Sequence, residues 1–168
     1  PVIICSQCAH YACLTVANWL GIGEENVLHV PTTPDSDMVV EAFEACLREV
    51  LRAGRRVAAI VATMGTTDAF GIDDLEAIHR IRNELAREFQ LTTPPHIHAD
   101  AVIGWAWSVF NDYDWDVNAL GFRLRTIRCL AAAHNRIRHL TLADSIGVDF
   151  HKTGFTPYVS SAFLVRDA

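Results

Sequence analysis

The sequence predicts an α/β domain: a mainly parallel sheet flanked by helices. Three observations carry that prediction. Short β-branched or apolar runs alternate with segments of helical periodicity along most of the chain. Hydrophobic residues make up 51% of the 168, and the mean hydropathy is +0.17, which suits strands buried on both faces. The polar residues that interrupt the apolar pattern gather at strand ends, where sheets of this class bind ligands.

Residues 2–5 form a β-branched run, and residues 8–20 carry apolar side chains at helical spacing up to Gly21, a C-terminal cap. Val27–Val30 is a second strand, closed by Pro31 and Pro34. Asp35, Ser36 and Asp37 offer N-cap residues for a helix over about 38–53, whose apolar positions 39, 43, 46, 47, 50 and 51 follow the i, i+3, i+4 pattern. Val57–Thr63 is the clearest buried strand, bounded by charge before it and Gly65 after it. Asp73 and Asp74 cap a helix through about residue 89, with Leu75, Ile78, Ile81, Leu85 and Phe89 on one face. Residues 96–100 follow as a strand after Pro94-Pro95. The stretch 105–122 is aromatic and irregular, then comes a helix-like segment, and residues 145–150 and 160–165 are the last strands. One domain fills the length, and no repeat or linker divides it.

The net charge of −6 and isoelectric point of 5.7 argue against nucleic acid as a partner. Arginines 123, 125, 128, 136 and 138 lack interleaved aromatics and read as a solvated helix face. No apolar stretch is long enough for a membrane span, and no signal peptide is visible. Five irregularly spaced cysteines read as reduced thiols in a cytoplasmic protein. The chain enters an apolar run at Pro1 with no methionine, which predicts a piece of a longer chain or a processed one.

Several residues have two readings each. Lys152 ends the run from Ser145 in His151-Lys152, where an amine can form an imine with a carbonyl compound; it can equally be a surface lysine. Asp100 closes an apolar strand and needs a partner there, for which a pyridinium N–H, a metal or a helix cap would serve. His10 can stack on a flat cofactor, or join Cys5, Cys8 and Cys13 in a zinc-type set; the set lacks the further ligand pairs of a zinc ribbon, and its thiols fall in an apolar helix as small hydrophobes. Gly65-Thr66-Thr67 suits a ligand's phosphate or phenolic oxygen, or a plain turn. No Walker A loop, G-x-G-x-x-G or G-x-S-x-G elbow is present. His79, His134 and His139 lie in charged helical segments and are expected to face solvent, and the aromatics from Trp105 to Trp115 are expected mainly to pack.

Taken in order, His10, Gly65-Thr66-Thr67, His98-Ala99-Asp100-Ala101 and Asp149-Phe150-His151-Lys152-Thr153-Gly154-Phe155-Thr156-Pro157-Tyr158 resemble the motifs of the pyridoxal-phosphate (PLP)-dependent group II amino-acid decarboxylases, and Ser161–Val165 resembles the strand that follows them. The resemblance spans nearly the whole chain and only the middle of the family's large, aminotransferase-like (fold type I) domain. It implies that residues 1–168 are an incomplete large domain with no second domain, and that Lys152 forms the internal aldimine. It further implies that Asp100 pairs with the pyridine nitrogen, His10 stacks on the ring, Thr66 lies close to the ring or Asp100, and His151 lies close to the phosphate. No metal is implied. The implied activity is decarboxylation of an L-amino acid to an amine and CO2 by a cytoplasmic homodimer. The alternatives are another PLP-dependent carbon–carbon lyase or aminotransferase, and a non-catalytic or zinc-binding fragment. Val102 departs from a second small residue after the aspartate, Phe150 from a proline before His-Lys, and Thr153 from a bulky residue after it.

Overall fold

A computed structural model describes residues 1–166. Its strands are β1 (Val2–Ser6), β2 (Val27–Val30), β3 (Val57–Thr63), β4 (Ile97–Asp100), β5 (Ser145–Asp149) and β6 (Ser161–Val165). Its helices are α1 (Ala12–Trp19), α2 (Val40–Arg52), α3 (Leu75–Glu88), α4 (Leu124–Ile137) and the single turn α5 (Phe150–Thr153). The strands form one sheet in the order β2-β1-β3-β4-β5-β6. The first five run parallel, and β6 returns antiparallel to β5, with Asp149 opposite Ser161. The predicted α/β architecture with a mainly parallel sheet is therefore present.

Side chains alternate across a strand, so each strand contributes to both faces. Ile4, Ile60, Ala62, Ile97 and Ala99 point to one face and are covered by Phe43 and Leu47 of α2, by Leu75, Ile78, Ile81 and Leu85 of α3, and by Ile137 of α4. The other face holds a smaller cluster of Ile3, Cys5, Val27 and Val61 with Ala17 of α1. On β4 the alternation turns Ile97, Ala99 and Ala101 into the large core, while His98 and Asp100 face the other way, half-buried. The Arg82 guanidinium, buried at the base of α3, reaches Asp144 at 3.3 Å and the Pro95 carbonyl at 3.1 Å. Asp144 in turn accepts from the Ile97 amide at 2.8 Å, which ties the start of β5 to the start of β4.

Local details differ from the sequence prediction, each for a physical reason. α1 starts at Ala12 rather than 8, because residues 7–9 form a turn that ends β1. Cys8 is consequently an exposed turn residue and Cys5 a strand residue, not members of an apolar helix. Asp74 does cap α3, accepting from the Ala77 amide at 3.0 Å. Asp73 is fully buried instead and accepts from the Met38 and Thr63 amides, both at 2.7 Å. Asp37 caps no helix: it takes the Thr33 hydroxyl at 2.6 Å, and α2 begins after Val39 with no side-chain cap. His134 is buried, not solvated, because Asn111 Oδ1 lies 3.0 Å from its Nε2 and Trp115 packs on its ring. The last predicted strand pair shifts slightly, since Phe150 already belongs to α5.

Candidate functional site

The turn after β5 is fastened at several points. Asp149, the last strand residue, accepts from Lys152 Nζ at 2.8 Å and from the Ser161 hydroxyl at 2.6 Å. His151 is nearly buried, with Nδ1 2.9 Å from the Ser160 carbonyl oxygen and Nε2 3.6 Å from Asp149. The Phe150 amide also donates to the Ser160 carbonyl, so the returning chain closes against the lysine turn. From the other side, Trp105 Nε1 donates to the Asp149 carbonyl at 3.0 Å and the Thr153 hydroxyl to the Ile103 carbonyl at 3.1 Å. A bulky side chain at 153 lacks that hydroxyl, which gives the threonine a structural purpose. The Lys152 side chain remains about a third exposed (36%), so its amine is accessible.

Asp100 lies two strand positions above His98 and beside Thr63 of β3. Its Oδ1 is buried without a hydrogen-bond partner among the described residues, and so is the Thr63 hydroxyl. A buried carboxylate oxygen lacking a donor is costly, so this site fits a ligand that brings an N–H. A protonated pyridine nitrogen, as in PLP, meets that requirement.

At the carboxyl ends of β1 and β3 a cleft of about 520 Å³ is lined by Gln7, Cys8, His10, Ser36, Thr66 and Thr67, among others. His10 stays exposed beside Tyr11, with ring centroids 4.1 Å apart, and its Nδ1 accepts from the Ala12 amide at 3.1 Å. Thr66 is buried and its hydroxyl accepts from the Gly71 amide at 2.8 Å, which closes the turn, while Thr67 stays exposed. Gly65 has φ +123°, in the region that favours glycine, and an added Cβ would come within 3.1 Å of the Gly104 backbone. A larger cavity of about 720 Å³ lies at the opposite end of the strands, around Arg56, Val57 and His96, away from every predicted site residue.

The electrostatics follow burial and partners. Burial works to raise the Asp149 carboxyl, yet the hydrogen bonds from Lys152 and Ser161 and the nearby positive charge hold it below the usual range. His98 is held below the usual imidazole range chiefly by burial, against the charge of Asp100. Its Nδ1 lies 2.9 Å from the Ser145 hydroxyl, and its ring stacks on Phe163 with centroids 5.7 Å apart. Burial also pushes Asp73 up to about 7, although the Thr63 and Met38 amides favour its ionised form.

His10, Thr66, Asp100, His151 and Lys152 thus stand at the carboxyl ends of four neighbouring strands, β1, β3, β4 and β5. Three interstrand steps span about 14 Å. The cleft gathers His10 and Thr66, while Lys152 and His151 meet through Asp149 and lie outside it. Sequence reasoning gave Asp149, Trp105 and Thr63 no part in the site. Asp149 was visible as a carboxylate three residues before the lysine, the spacing of one helical turn. Trp105 carried no comparable signal, because its bond to Asp149 spans 44 residues. Among the described residues no three His, Cys, Asp or Glu side chains are grouped as a metal site requires.

Comparison with known proteins adds a second kind of observation. L-2,4-Diaminobutyrate decarboxylase of Acinetobacter baumannii is 30% identical over 165 residues, which is 98% of this chain and 27% of that protein. The chain is similar to amino-acid decarboxylases. L-Tyrosine decarboxylase of Enterococcus faecalis is 25% identical over 96% of this chain and 27% of its own length. Among solved structures, the glutamate decarboxylase domain of a Vibrio parahaemolyticus diaminobutyrate-pyruvate transaminase and L-2,4-diaminobutyrate decarboxylase matches with a TM-score of 0.73 at 26% identity. That match covers 99% of this chain and 30% of that one. Oryza sativa TDC, determined with PLP and tryptamine, gives a TM-score of 0.74 at 17% identity over 99% of this chain and 29% of that one, a likeness of fold. The chain therefore spans less than a third of the length of these relatives and has the fold of one part of a decarboxylase domain. No protein-family model matches it.

Proposed function

We propose that this chain is the central part of the large domain of a PLP-dependent carboxy-lyase that converts an L-amino acid to an amine and CO2. The observation that carries the proposal is the partnerless Asp100 Oδ1, buried at the carboxyl end of the interior strand β4, beside the strand whose following turn presents the partly exposed Lys152 side chain. The similarity to decarboxylases of diaminobutyrate and tyrosine supports the same reading. In this proposal Lys152 would hold the cofactor covalently through Nζ, and Asp100 would accept the ring N–H. His10 would cover a ring face, Thr66 would lie beside the ring, and His151 would serve the phosphate side. When bound, PLP draws electrons from the substrate carbon that loses its carboxylate. The protein's share begins at Lys152. Its Nζ is paired with Asp149, and attack on a carbonyl needs a free lone pair there, so Nζ would give up a proton, and leave that ion pair, before it reacts. The partnerless Asp100 Oδ1 would accept the ring N–H. The proposal extends to a homodimer in the cytoplasm. No described helix is long and apolar enough to cross a bilayer.

The test uses the full-length protein with PLP, followed by borohydride and peptide mapping. A stable adduct on Lys152 that disappears in Lys152→Ala is the expected result, together with amine and CO2 from an L-amino acid. An adduct that persists in Lys152→Ala, or keto-acid product in place of amine, overturns the assignment.

A further inference from the structure

Asp100 ends β4, and Lys152 follows β5, its neighbour in the sheet. The segment that continues from Asp100 is fastened to the turn that carries the lysine. The Ala101 amide donates to the Gly147 carbonyl of β5 at 3.0 Å, and the Trp105 amide closes back on the Ala101 carbonyl at 3.0 Å. Between them the Ile103 carbonyl accepts from the Thr153 hydroxyl at 3.1 Å. The Trp105 indole completes the clamp. Its Nε1 donates to the Asp149 carbonyl at 3.0 Å, and its ring meets Phe150 edge-on with centroids 5.1 Å apart. A Cβ added at Gly154 would lie 3.0 Å from Trp105 Cζ2, so the indole also rests against the far end of the turn. One side chain thus touches the residues on both sides of His151-Lys152, and Lys152 is the single lysine of the chain. The residue whose carbonyl the indole holds is also the one whose carboxylate receives Lys152 Nζ.

We infer that Trp105 is a positioning residue that fixes the Lys152 turn relative to Asp100; the inference rests on the reading that one cofactor meets both residues. An indole suits the task because it joins a rigid apolar body to one N–H donor. Trp107, two residues on, is the contrast. Its ring packs on Phe70 with centroids 4.3 Å apart, and its buried Nε1 has no partner among the described residues. A ring held covalently at 152 and accepted at 100 needs both ends in register, and a displacement of about 1 Å can cost on the order of a hundredfold in rate.

The experiment compares Trp105→Phe, Thr153→Val and Trp107→Phe in the full-length protein. Trp105→Phe keeps an aromatic ring on Phe150 and removes the donor to Asp149. In cofactor-free protein, brief acetic anhydride treatment and peptide mapping read the freedom of Lys152. Labelling should be about fivefold faster in Trp105→Phe, the shift that loss of one hydrogen bond brings. In PLP-loaded protein the same variant should lower kcat for CO2 release by roughly tenfold to a hundredfold with little change in KM, and should shift the visible circular dichroism of the bound cofactor. Thr153→Val keeps the indole and removes the second bond of the clamp, so it moves all three readouts in the same direction and decides the matter if Trp105→Phe does not fold. Trp107→Phe matches the parent. Parent-like Lys152 labelling in both clamp variants, a loss confined to KM, or an equal response in Trp107→Phe overturns the inference. The labelling involves no cofactor, so absence of a borohydride adduct on Lys152 in the parent overturns the PLP reading separately.

Discussion

One face of the sheet buries twenty side chains in a single cluster with α2, α3 and α4, whereas the other buries five beneath α1. The same strands supply both. On the thick face the strand positions are apolar apart from Ser6 at the end of β1, and helices cover it; the thin face carries His98, Asp100, Ser145 and Asp149 on the neighbouring strands β4 and β5. Burial of apolar surface on one side stabilises the sheet enough for the other to carry groups that cost energy to bury. The carboxylate without a donor and the lysine turn both belong to the thin side or its rim, so stability and chemistry are separable by strand parity.

The sharpest way to break that separation is Phe43→Ala, which empties a fully buried position in the thick cluster. It should cost about 4 kcal/mol in a denaturant titration. A cost below about 1 kcal/mol would mean that the thick face does not carry the fold. Asp100→Ala on the thin face should leave stability within about 1 kcal/mol of the parent while removing borohydride-trapped PLP, because it deletes a polar atom that has no protein partner. A large loss of stability there would assign Asp100 to the scaffold instead. The smallest effect concerns pH. The His98 imidazole is held below its ordinary range in the folded chain, so near pH 6 the unfolded chain binds more protons. Its contribution to stability is therefore present above the ordinary imidazole range and is lost as pH falls through it. His98→Gln, which keeps a polar partner for Ser145, should flatten the stability–pH curve over that window. An unchanged slope would count against a buried neutral His98.

The thick face was the more legible one in the sequence. Val57–Thr63 was bounded correctly because an unbroken apolar run between charge and glycine has few other solutions, and the α3 stripe of Leu75, Ile78, Ile81 and Leu85 declared its own period. The strand-end positions of Asp100 and Lys152 followed from where apolar runs stop. Two of the misread residues, His134 and Asp73, have partners distant in the chain. His134 is buried by Asn111, 23 residues away, and Asp73 is drawn inward by the amides of Thr63 and Met38. Such bonds leave no periodic trace, because they depend on which elements meet in space.

The return of β6 has a kinetic consequence. Each parallel pair joins strands separated by a long crossover, but β5 and β6 pair across residues 150–160 alone. Closing so short a loop loses little chain entropy, so this hairpin can form before the parallel ladder is complete. The Phe150, His151 and Ser161 contacts that shape the lysine turn all lie within it. The order of assembly that topology favours is thus one in which the surroundings of Lys152 are set early and the Asp100 strand docks onto them later.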